Sequence, residues 1–349
     1  MRDLFVLLLL AGGVYLGLRQ VGCVGAADEP PAAAAEEGAL EAPVETSTDA
    51  GRGTEARGAA PEAGAGAPAA TTADEKARGV VQAELNALLE GRELEDPDAL
   101  RAAAGRSGRV GALATAVLDA RTANPKRRWL GLSRIAADAA LAPEARRKLL
   151  ERIDGAARKA LYAPTESVAE TVRGGDSLVR LQKRFRGDHG VIVPIGVLRW
   201  LNGVSGDLIH PGEEIRAPSA PMTLRASKSG FWLRLQVGDG IVREFPIGIG
   251  RQDKTPAETF VLRRPLEHPP WKDPESGNLY HYGDPEYAIG TRWIGFEPNG
   301  PHRGLGIHGT NEPESIGTAA SLGCIRLRNA DVEALAELVA EGMTIEIVE

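Results

Sequence analysis

The sequence is poor in cysteine and has no excess of positive charge. Its 349 residues include two cysteines, too few for a disulfide framework or a four-cysteine zinc site. The formal net charge of −7 argues against a basic nucleic-acid-binding protein. Hydrophobic residues make up 43% and charged residues 26%, as is typical of globular proteins. The length allows more than one domain, at roughly 100–200 residues each.

The amino terminus has the character of a targeting segment. Residues 4–18 form an uncharged, mostly apolar run flanked by arginines. A run of about 15 residues fits the core of a signal peptide or a short signal anchor, whereas a spanning helix needs about 20. We therefore predict that residues 1–23 are a signal peptide or membrane anchor, which exports the chain to the cell envelope or periplasm. Lipidation of Cys23 stays open, because Gln20 departs from the usual lipoprotein cleavage box.

Residues 24–74 have the composition of a disordered tether. Alanine, glycine and proline dominate the segment, and ten acidic residues face two arginines. So few large aliphatic residues cannot offset the cost of ordering the backbone. The segment is predicted to be an extended linker between the membrane and the folded part of the chain.

Residues 75–162 carry apolar residues at helical spacing. The first set is Val80, Val81, Leu85, Leu88 and Leu89, and similar sets follow it, with Pro143 at an early position of the last helix. The stretch contains no constellation of catalytic residue types. It is predicted to be an α-helical region that serves as a spacer or contacts a partner.

A small βααβ module is predicted for residues 169–218. Residues 171–178 predict a short strand, a Gly-Asp turn and a helix start, residues 198–202 a second helix, and residues 209–218 a returning strand. These segments resemble a LysM module, a domain that binds polymers containing N-acetylglucosamine. The stretch between the helices is a few residues longer than is usual in that family.

Residues 221–349 have the pattern of a mostly-β domain. Alternating apolar and polar residues predict strands at 223–227, 231–237 and 241–247, separated by glycine-containing turns. Further strands are predicted at 259–262, 293–296, 305–308 and 344–348. One helix interrupts them, with Asn329 as its predicted cap and Gly342 at its end.

Two motifs in this domain carry residue types suited to acyl transfer. Gly306-Ile307-His308-Gly309-Thr310-Asn311 precedes Ser321-Leu322-Gly323-Cys324-Ile325-Arg326. A free thiol has a pKa of about 8.5, so a nucleophilic cysteine needs an imidazole nearby to take its proton. The tetrahedral intermediate also needs fixed main-chain N–H donors, and Gly323 lets the backbone approach a substrate. Cys324 is the only cysteine beyond residue 23.

The paired motif is similar to the signature of L,D-transpeptidases with a YkuD-type catalytic domain. Family members carry His-Gly-Thr-Asn before Ser-x-Gly-Cys-Ile-Arg, often with a LysM module in front, and the resemblance covers roughly residues 169–348. It implies a cysteine acyl-enzyme that releases the terminal D-alanine of a peptidoglycan stem peptide and passes the acyl group to an amine.

The same resemblance implies roles for individual residues. Cys324 is the expected nucleophile, and His308 the proton donor and acceptor. The main-chain carbonyl of Gly309 orients the imidazole, and the main-chain N–H of Gly323 stabilises the oxyanion. The expected substrate-binding residues are Ser321, Arg326 and Thr310. No metal and no cofactor is expected.

The chain departs from the family pattern at two positions. Leu322 stands where many members have histidine, and Glu258 where the Thr-Pro-x-Gly-x-Phe segment has glycine. A further segment, residues 267–287, is too long for a hairpin. It is either a lid over the site or an exposed insertion.

The fold class that follows is multidomain: a disordered tether, an α-helical spacer, a βααβ LysM-like module and a mostly-β L,D-transpeptidase catalytic domain. The leading hypothesis is an envelope enzyme that acts on peptidoglycan, is anchored at the membrane and does not bind nucleic acid. Two alternatives stay open. One is an L,D-carboxypeptidase, with water as the acceptor, and the other is a non-catalytic wall-binding protein.

Overall fold

A computed structural model of the protein describes residues 72–274 and 276–349, which belong to one compact unit. The predicted targeting segment and residues 24–71 of the predicted tether lie outside the described residues. Thr72–Asp74, predicted as the end of the tether, instead form the first turn of a helix. Among the described helices, none combines the length and the apolar character that crossing a bilayer requires.

The predicted N-terminal helical region is confirmed. Apolar faces account for its helices, and two of them, α2 and α4, also have N-caps: Asp96 and Asn124 each accept a hydrogen bond from the main-chain N–H three residues later. Three of the helices begin with proline, whose missing N–H costs nothing there. The helices are α1 Thr72–Glu90, α2 Pro97–Ala104, α3 Gly108–Arg121, α4 Pro125–Ala137 and α5 Pro143–Tyr162.

The next segment runs strand, helix, helix, strand. It comprises β1 Ser167–Thr171, α6 Leu178–His189, α7 Ile195–Asn202 and β2 Glu214–Pro218. The two strands pair antiparallel, from Ser167 opposite Pro218 to Thr171 opposite Glu214. Ser177 caps α6, and Gly190 ends it with a left-handed backbone that glycine adopts at little cost.

The remainder is the mostly-β domain. Its strands are β3 Met222–Ser227, β4 Trp232–Val237, β5 Gly240–Pro246, β6 Ile249–Gly250, β7 Thr259–Val261, β8 Leu266–Glu267, β9 Trp271–Lys272, β10 Leu279–Tyr280, β11 Arg292–Gly295, β12 Gly306–His308, β13 Ala319–Ser321, β14 Ile325–Arg326 and β15 Thr344–Val348. One helix, α8 Asn329–Leu338, lies between β14 and β15.

Two sheets organise this domain. The larger has the strand order β5-β4-β3-β15-β7, and the other has the order β14-β12-β11-β8. The strands β6 and β13 pair with each other, as do β9 and β10. Strand β15 is parallel to β3 and antiparallel to β7, whereas β12 and β14 are parallel neighbours.

The helical region packs directly on the β domain. Ser133 Oγ of α4 accepts a hydrogen bond from the Ile241 N–H at 3.0 Å, and Gly240 lies against the indole of Trp129. The βααβ segment makes a similar contact, because a Cβ at Gly196 would lie 2.2 Å from the carbonyl oxygen of Glu337. One buried apolar cluster runs through all three parts, from Ala77 to Ile347.

Candidate active site

The pairing of β12 with β14 brings the two sequence motifs together. Ile307 lies opposite Ile325, and His308 opposite Arg326, in parallel register. Both isoleucines are fully buried. Successive side chains of a strand point to opposite faces, so the flanking residues His308, Cys324 and Arg326 share the other face. The two motifs are apart in sequence, and the pairing of these two strands brings them together in the fold.

His308 is buried, with 5% of its surface exposed. Its Nδ1 lies 2.6 Å from the main-chain carbonyl oxygen of Gly309. A carbonyl oxygen only accepts hydrogen bonds, so Nδ1 carries the proton and Nε2 is left with a free lone pair. The ring also stacks on Trp293, with centroids 5.7 Å apart and planes 22° apart. These contacts hold the imidazole in one orientation and one tautomer.

Cys324 is half-buried, and its Sγ lies 3.8 Å from the Gly304 carbonyl oxygen. Burial raises the pKa of the Cys324 thiol to about 11, although a hydrogen bond from the Gly306 main chain and the charge of Arg326 act in the other direction. Burial also lowers the pKa of His308 to about 4, against the effect of the Gly309 carbonyl, and Arg326 lowers it further. The resting site therefore holds a neutral thiol and a neutral imidazole at neutral pH.

Two side chains, Ser321 and Thr255, fix the loop before the thiol. Ser321 Oγ donates to the Cys324 carbonyl at 2.6 Å and accepts the Gly323 N–H at 3.2 Å. Thr255 Oγ1 accepts the Gly250 N–H at 2.7 Å and donates to the Gly323 carbonyl at 2.8 Å. Gly323 has a φ of 136°, where a side chain is strained, and a Cβ there would lie 3.1 Å from the Lys254 carbonyl oxygen.

These contacts alter two sequence-based expectations. The Gly323 N–H, predicted as the oxyanion donor, already donates to Ser321. Ser321, predicted to bind substrate, is 2% exposed and shapes the loop, although it also lines the cavity described below. A serine two residues before a glycine can accept the N–H of that glycine, and here this local bond takes the donor.

Thr310 is 3% exposed and is not among the residues that line that cavity, and its role toward a substrate stays a prediction. Its Oγ1 accepts the Glu312 N–H at 3.0 Å, and its own N–H donates to Asn329 Oδ1 at 3.2 Å. Asn329 also accepts the Thr291 N–H at 3.3 Å. The predicted capping role of Asn329 is wrong, because the helix begins at this residue and its amide instead ties two loops beside His308.

Arg326 lines the cavity and forms an ion pair with Glu312 at 2.7 Å. Its Nη1 also lies 3.4 Å from Ser315 Oγ, and its buried Nε has no partner within the described residues. The guanidinium is therefore already paired with a carboxylate that is itself 56% exposed. A substrate carboxylate would compete with Glu312 for this arginine.

A cavity of about 840 Å³ opens beside the motif residues. Its lining combines His308, Cys324 and Arg326 with Trp293 and with residues of the long 267–287 segment, namely Pro269, Pro270, Trp271, Lys272, Asp273, Pro274, Tyr280 and Glu286. Strands β9 and β10 form a small hairpin within that segment. The segment is thus a wall of the cavity, which favours a lid over an exposed insertion.

The two departures from the family pattern have local explanations. Leu322 adds an apolar side chain to the cavity lining. The backbone of Glu258 does not have a positive φ, so this position does not require glycine. Its side chain accepts a hydrogen bond from Asn299 Nδ2 at 2.9 Å and lies 3.3 Å from His302 Nε2.

The other histidines lie elsewhere. Of the six in the sequence, His308 alone lines this cavity, so His281 and His302 are poorly placed to act on Cys324. Among the described residues, no group of three or more histidine, cysteine, aspartate or glutamate side chains is arranged to hold a metal ion.

Sequence reasoning missed three residues that shape the site: Thr255, Trp293 and Asn329. Thr255 could have been found from the sequence, because it begins the segment that corresponds to Thr-Pro-x-Gly-x-Phe in the family pattern. Trp293 and Asn329 stand in an ordinary strand and helix pattern, and their roles depend on pairings between distant parts of the chain.

Known proteins share this domain. The family model of the L,D-transpeptidase catalytic domain (YkuD) matches residues 223–347. The chain is 30% identical over 183 residues to the putative L,D-transpeptidase YkuD of Bacillus licheniformis, covering 50% of this chain and 96% of the relative. It is 34% identical over 122 residues to the probable L,D-transpeptidase ErfK/SrfK of Escherichia coli, covering 31% of this chain and 37% of that protein.

A solved structure is also similar. The crystal structure of L,D-transpeptidase 3 from Mycobacterium tuberculosis with a faropenem-derived adduct is 15% identical, covers 39% of this chain and 64% of that chain, and has a TM-score of 0.31. The match to nearly the whole Bacillus licheniformis relative settles the family. The prediction of a mostly-β catalytic domain behind a helical region is confirmed. The chain belongs to the L,D-transpeptidases with a YkuD-type catalytic domain and is an enzyme of that class.

Proposed function

We propose that this protein is a cysteine-dependent L,D-transpeptidase that acts on peptidoglycan stem peptides in the cell envelope. The observation that carries the proposal is the placement of His308 and Cys324 on one face of the β12–β14 pair, in one cavity. The cavity volume of about 840 Å³ lies within the range of roughly 300–1,000 Å³ that ligand sites usually have.

The first half-reaction follows from the tautomer of His308. Nε2 takes the proton of the Cys324 thiol as the sulfur attacks the carbonyl before the terminal D-alanine. The tetrahedral intermediate then collapses, Nε2 gives the proton to the departing amine, and D-alanine leaves. A thioester remains on Cys324, and an acceptor amine reverses these steps to form the new peptide bond.

Proton transfer and attack occur together in this proposal. Burial raises the pKa of the Cys324 thiol and lowers the pKa of the His308 imidazole, so both groups are neutral at rest rather than an ion pair. His308 therefore acts as a general base during the attack, and closure of the 267–287 wall over a substrate excludes water from the developing charges.

The oxyanion needs a main-chain donor, and the Gly323 N–H already donates to Ser321 Oγ. We assign the main-chain N–H of Cys324, which begins the turn into β14, as the main-chain donor. Arg326 lines the same cavity, and its positive charge acts on both His308 and Cys324. A substrate carboxylate replaces Glu312 as the partner of Arg326, which then orients the substrate, because the exposed side chain of Glu312 can move away.

We further propose that residues 169–218 are a LysM-like module that binds wall glycan. The strand, helix, helix, strand order supports this assignment. The Bacillus licheniformis alignment is also longer than the 223–347 match, and only two residues follow residue 347, so the similarity extends toward this segment. Residues 1–23 would export the chain and attach it to the membrane, with residues 24–71 as the tether.

Product analysis tests the proposal. The purified protein is incubated with a tetrapeptide stem and an amine acceptor, and the products are identified by mass spectrometry. A cross-linked or amine-exchanged product, together with free D-alanine and a thioester on Cys324, is the expected result. Free tripeptide without transfer would instead identify an L,D-carboxypeptidase, and no release of D-alanine would contradict the proposed reaction.

A further inference from the structure

A second cavity, also of about 840 Å³, lies between the βααβ segment and the catalytic domain. One side is formed by α6, the loop after it and the start of α7, and the other by residues 264–267 and the end of α8. We call this cavity the basic cleft and define it by Lys183, Arg186, Arg264, Leu266 and Glu341.

The walls of the basic cleft are held firmly together. The backbones of α7 and α8 touch at Gly196 and Glu337, where even a methyl group has no room. Arg199 Nη1 also pairs with Glu337 Oε2 at 2.9 Å. Because these walls are fixed, the cleft is preorganised, and binding a ligand costs little conformational free energy.

The charge of the cleft is positive after internal pairs are removed. Its five basic and three acidic lining residues include two pairs, Arg199 with Glu337 and Arg292 with Glu267. Lys183, Arg186 and Arg264 have no carboxylate within ion-pair distance in residues 72–274 and 276–349. Among the residues that line the cleft, Glu341 is the one acidic side chain outside these two pairs. Three unpaired cations around one concave surface favour a ligand that carries carboxylates.

The cleft is also partly apolar. Val179 is 48% exposed and Leu266 is 45% exposed, two of the more exposed large hydrophobic residues in the described part of the chain. Both line the cleft. A peptide with short apolar side chains and terminal carboxylates matches this combination better than a glycan, which presents hydroxyl groups.

Leu266 connects the cleft to the active site, because it lines both cavities. It stands on the edge strand β8 opposite Trp293, the residue that stacks on His308. On the same pair of strands, Glu267 and Arg292 face the cleft. A chain lying in the cleft can therefore pass over the β8 edge into the cavity of Cys324.

We propose that the basic cleft binds the acceptor stem peptide, the second substrate, by its carboxylates. The inference rests on the proposed transpeptidase function and names the part of the protein that selects its acceptor. The donor stem occupies the cavity of Cys324, and the acceptor amine reaches the thioester past Leu266.

The test separates the two half-reactions. The double variant Lys183→Gln/Arg264→Gln removes two unpaired cations that lie outside the catalytic machinery. The double variant Lys76→Gln/Lys148→Gln, on exposed helical positions, is the matched control for charge. Acyl-enzyme formation from a tetrapeptide donor is followed by intact-protein mass spectrometry, and transfer is followed by chromatography with a stem-peptide acceptor or with free D-methionine.

We expect the cleft variant to form the acyl-enzyme within about twofold of the wild-type rate, to raise the KM for the stem-peptide acceptor about tenfold, and to use D-methionine normally. An acceptor whose carboxylates are amidated should show the raised KM already with the wild-type protein. An unchanged acceptor KM, or a raised donor KM, would overturn the assignment of the cleft. Absence of any acyl-enzyme in the wild-type protein would contradict the proposed function itself.

Discussion

The indole Nε1–H of Trp129 donates a hydrogen bond to the main-chain carbonyl of Ile241 at 2.6 Å, across a buried interface between α4 and β5. Ser133, one turn along α4, accepts the N–H of the same residue. Two bonds to one residue of the β4–β5 hairpin, at the edge of the large sheet, make the helical region part of the structure that supports the catalytic domain.

The first prediction concerns that interface. Trp129→Ala removes a side chain that is 2% exposed and should lower the free energy of unfolding by about 3–5 kcal/mol. Trp129→Phe keeps most of the volume but leaves the Ile241 carbonyl without its partner, and should cost about 1–3 kcal/mol. Urea denaturation followed by circular dichroism measures both. Equal stability of all three proteins would mean that the helical region is only a spacer.

The nucleophile is tested by replacement with a weaker one. Cys324→Ser places a hydroxyl where the thiol stood, and the hydroxyl is much less nucleophilic at neutral pH. We expect no acyl-enzyme with a stem peptide or with a carbapenem, and an unchanged circular dichroism spectrum. Intact-protein mass spectrometry detects the adduct. An adduct on the folded serine variant would assign the nucleophile to another residue.

The pH dependence of acylation tests His308 as the base. Because burial lowers the pKa of His308 to about 4, the wild-type rate should stay level from pH 8 to pH 5 and fall as the pH approaches 4. In His308→Ala the thiol has no proton acceptor. Its rate should be far lower at pH 7 and should rise about tenfold per pH unit toward the thiol pKa of about 11. A rate that halves near pH 6.5 in the wild-type protein would contradict the buried, neutral state of His308.

The same pKa shift predicts a loss of stability in acid. The folded protein binds a proton at His308 only near pH 4, whereas the unfolded chain binds it near pH 6.5, so stability falls as the pH drops through this interval. The shift corresponds to at most about 3 kcal/mol. His308→Gln lacks this proton and serves as the control. Its free energy of unfolding should decline less than that of the wild-type protein between pH 7 and pH 4.

Thr255 should hold the nucleophile loop through its hydroxyl. Thr255→Val keeps the shape but leaves the Gly250 N–H and the Gly323 carbonyl without partners, at about 1–3 kcal/mol for each buried group. Thr255→Ser restores both bonds. We expect slow acylation with valine and near-normal acylation with serine, in a mass-spectrometric time course. Equal loss in both variants would indicate that the methyl group, not the hydroxyl, matters.

Local pattern was sufficient to predict most of the helices and the longer strands. The apolar spacing of Val81, Leu85 and Leu88 identified a buried helix face, and the alternation at 223–227 and 231–237 identified a hairpin. The second helix, Pro97–Ala104, was missed because it is only eight residues long and Leu100 is its one large apolar residue. The βααβ order of residues 167–218 also followed from short local signals.

The surroundings of the site were harder to predict, because they depend on contacts between distant residues. The motif residues His308 and Cys324 were evident in sequence, and their roles remain predictions. The bonds of Thr255 to Gly323 and of Asn329 to Thr310 join segments whose proximity no periodicity encodes. The wall formed by residues 267–287 and the packing of α4 on β5 were unpredictable for the same reason.

The position of β15 determines when the chain can fold. Strand β15 (Thr344–Val348) lies between β3 and β7 and joins them. It is synthesised about 120 residues after the part of β3 near residue 224 with which it pairs. Until that strand arrives, β3 and β7 expose open hydrogen-bonding edges, and the large sheet is split in two. Pairing over such a sequence distance makes folding slow. The large sheet is therefore complete only after residue 348 has been synthesised, and a chain that stops between β7 and β15 leaves β3 and β7 unpaired along the edges that β15 covers.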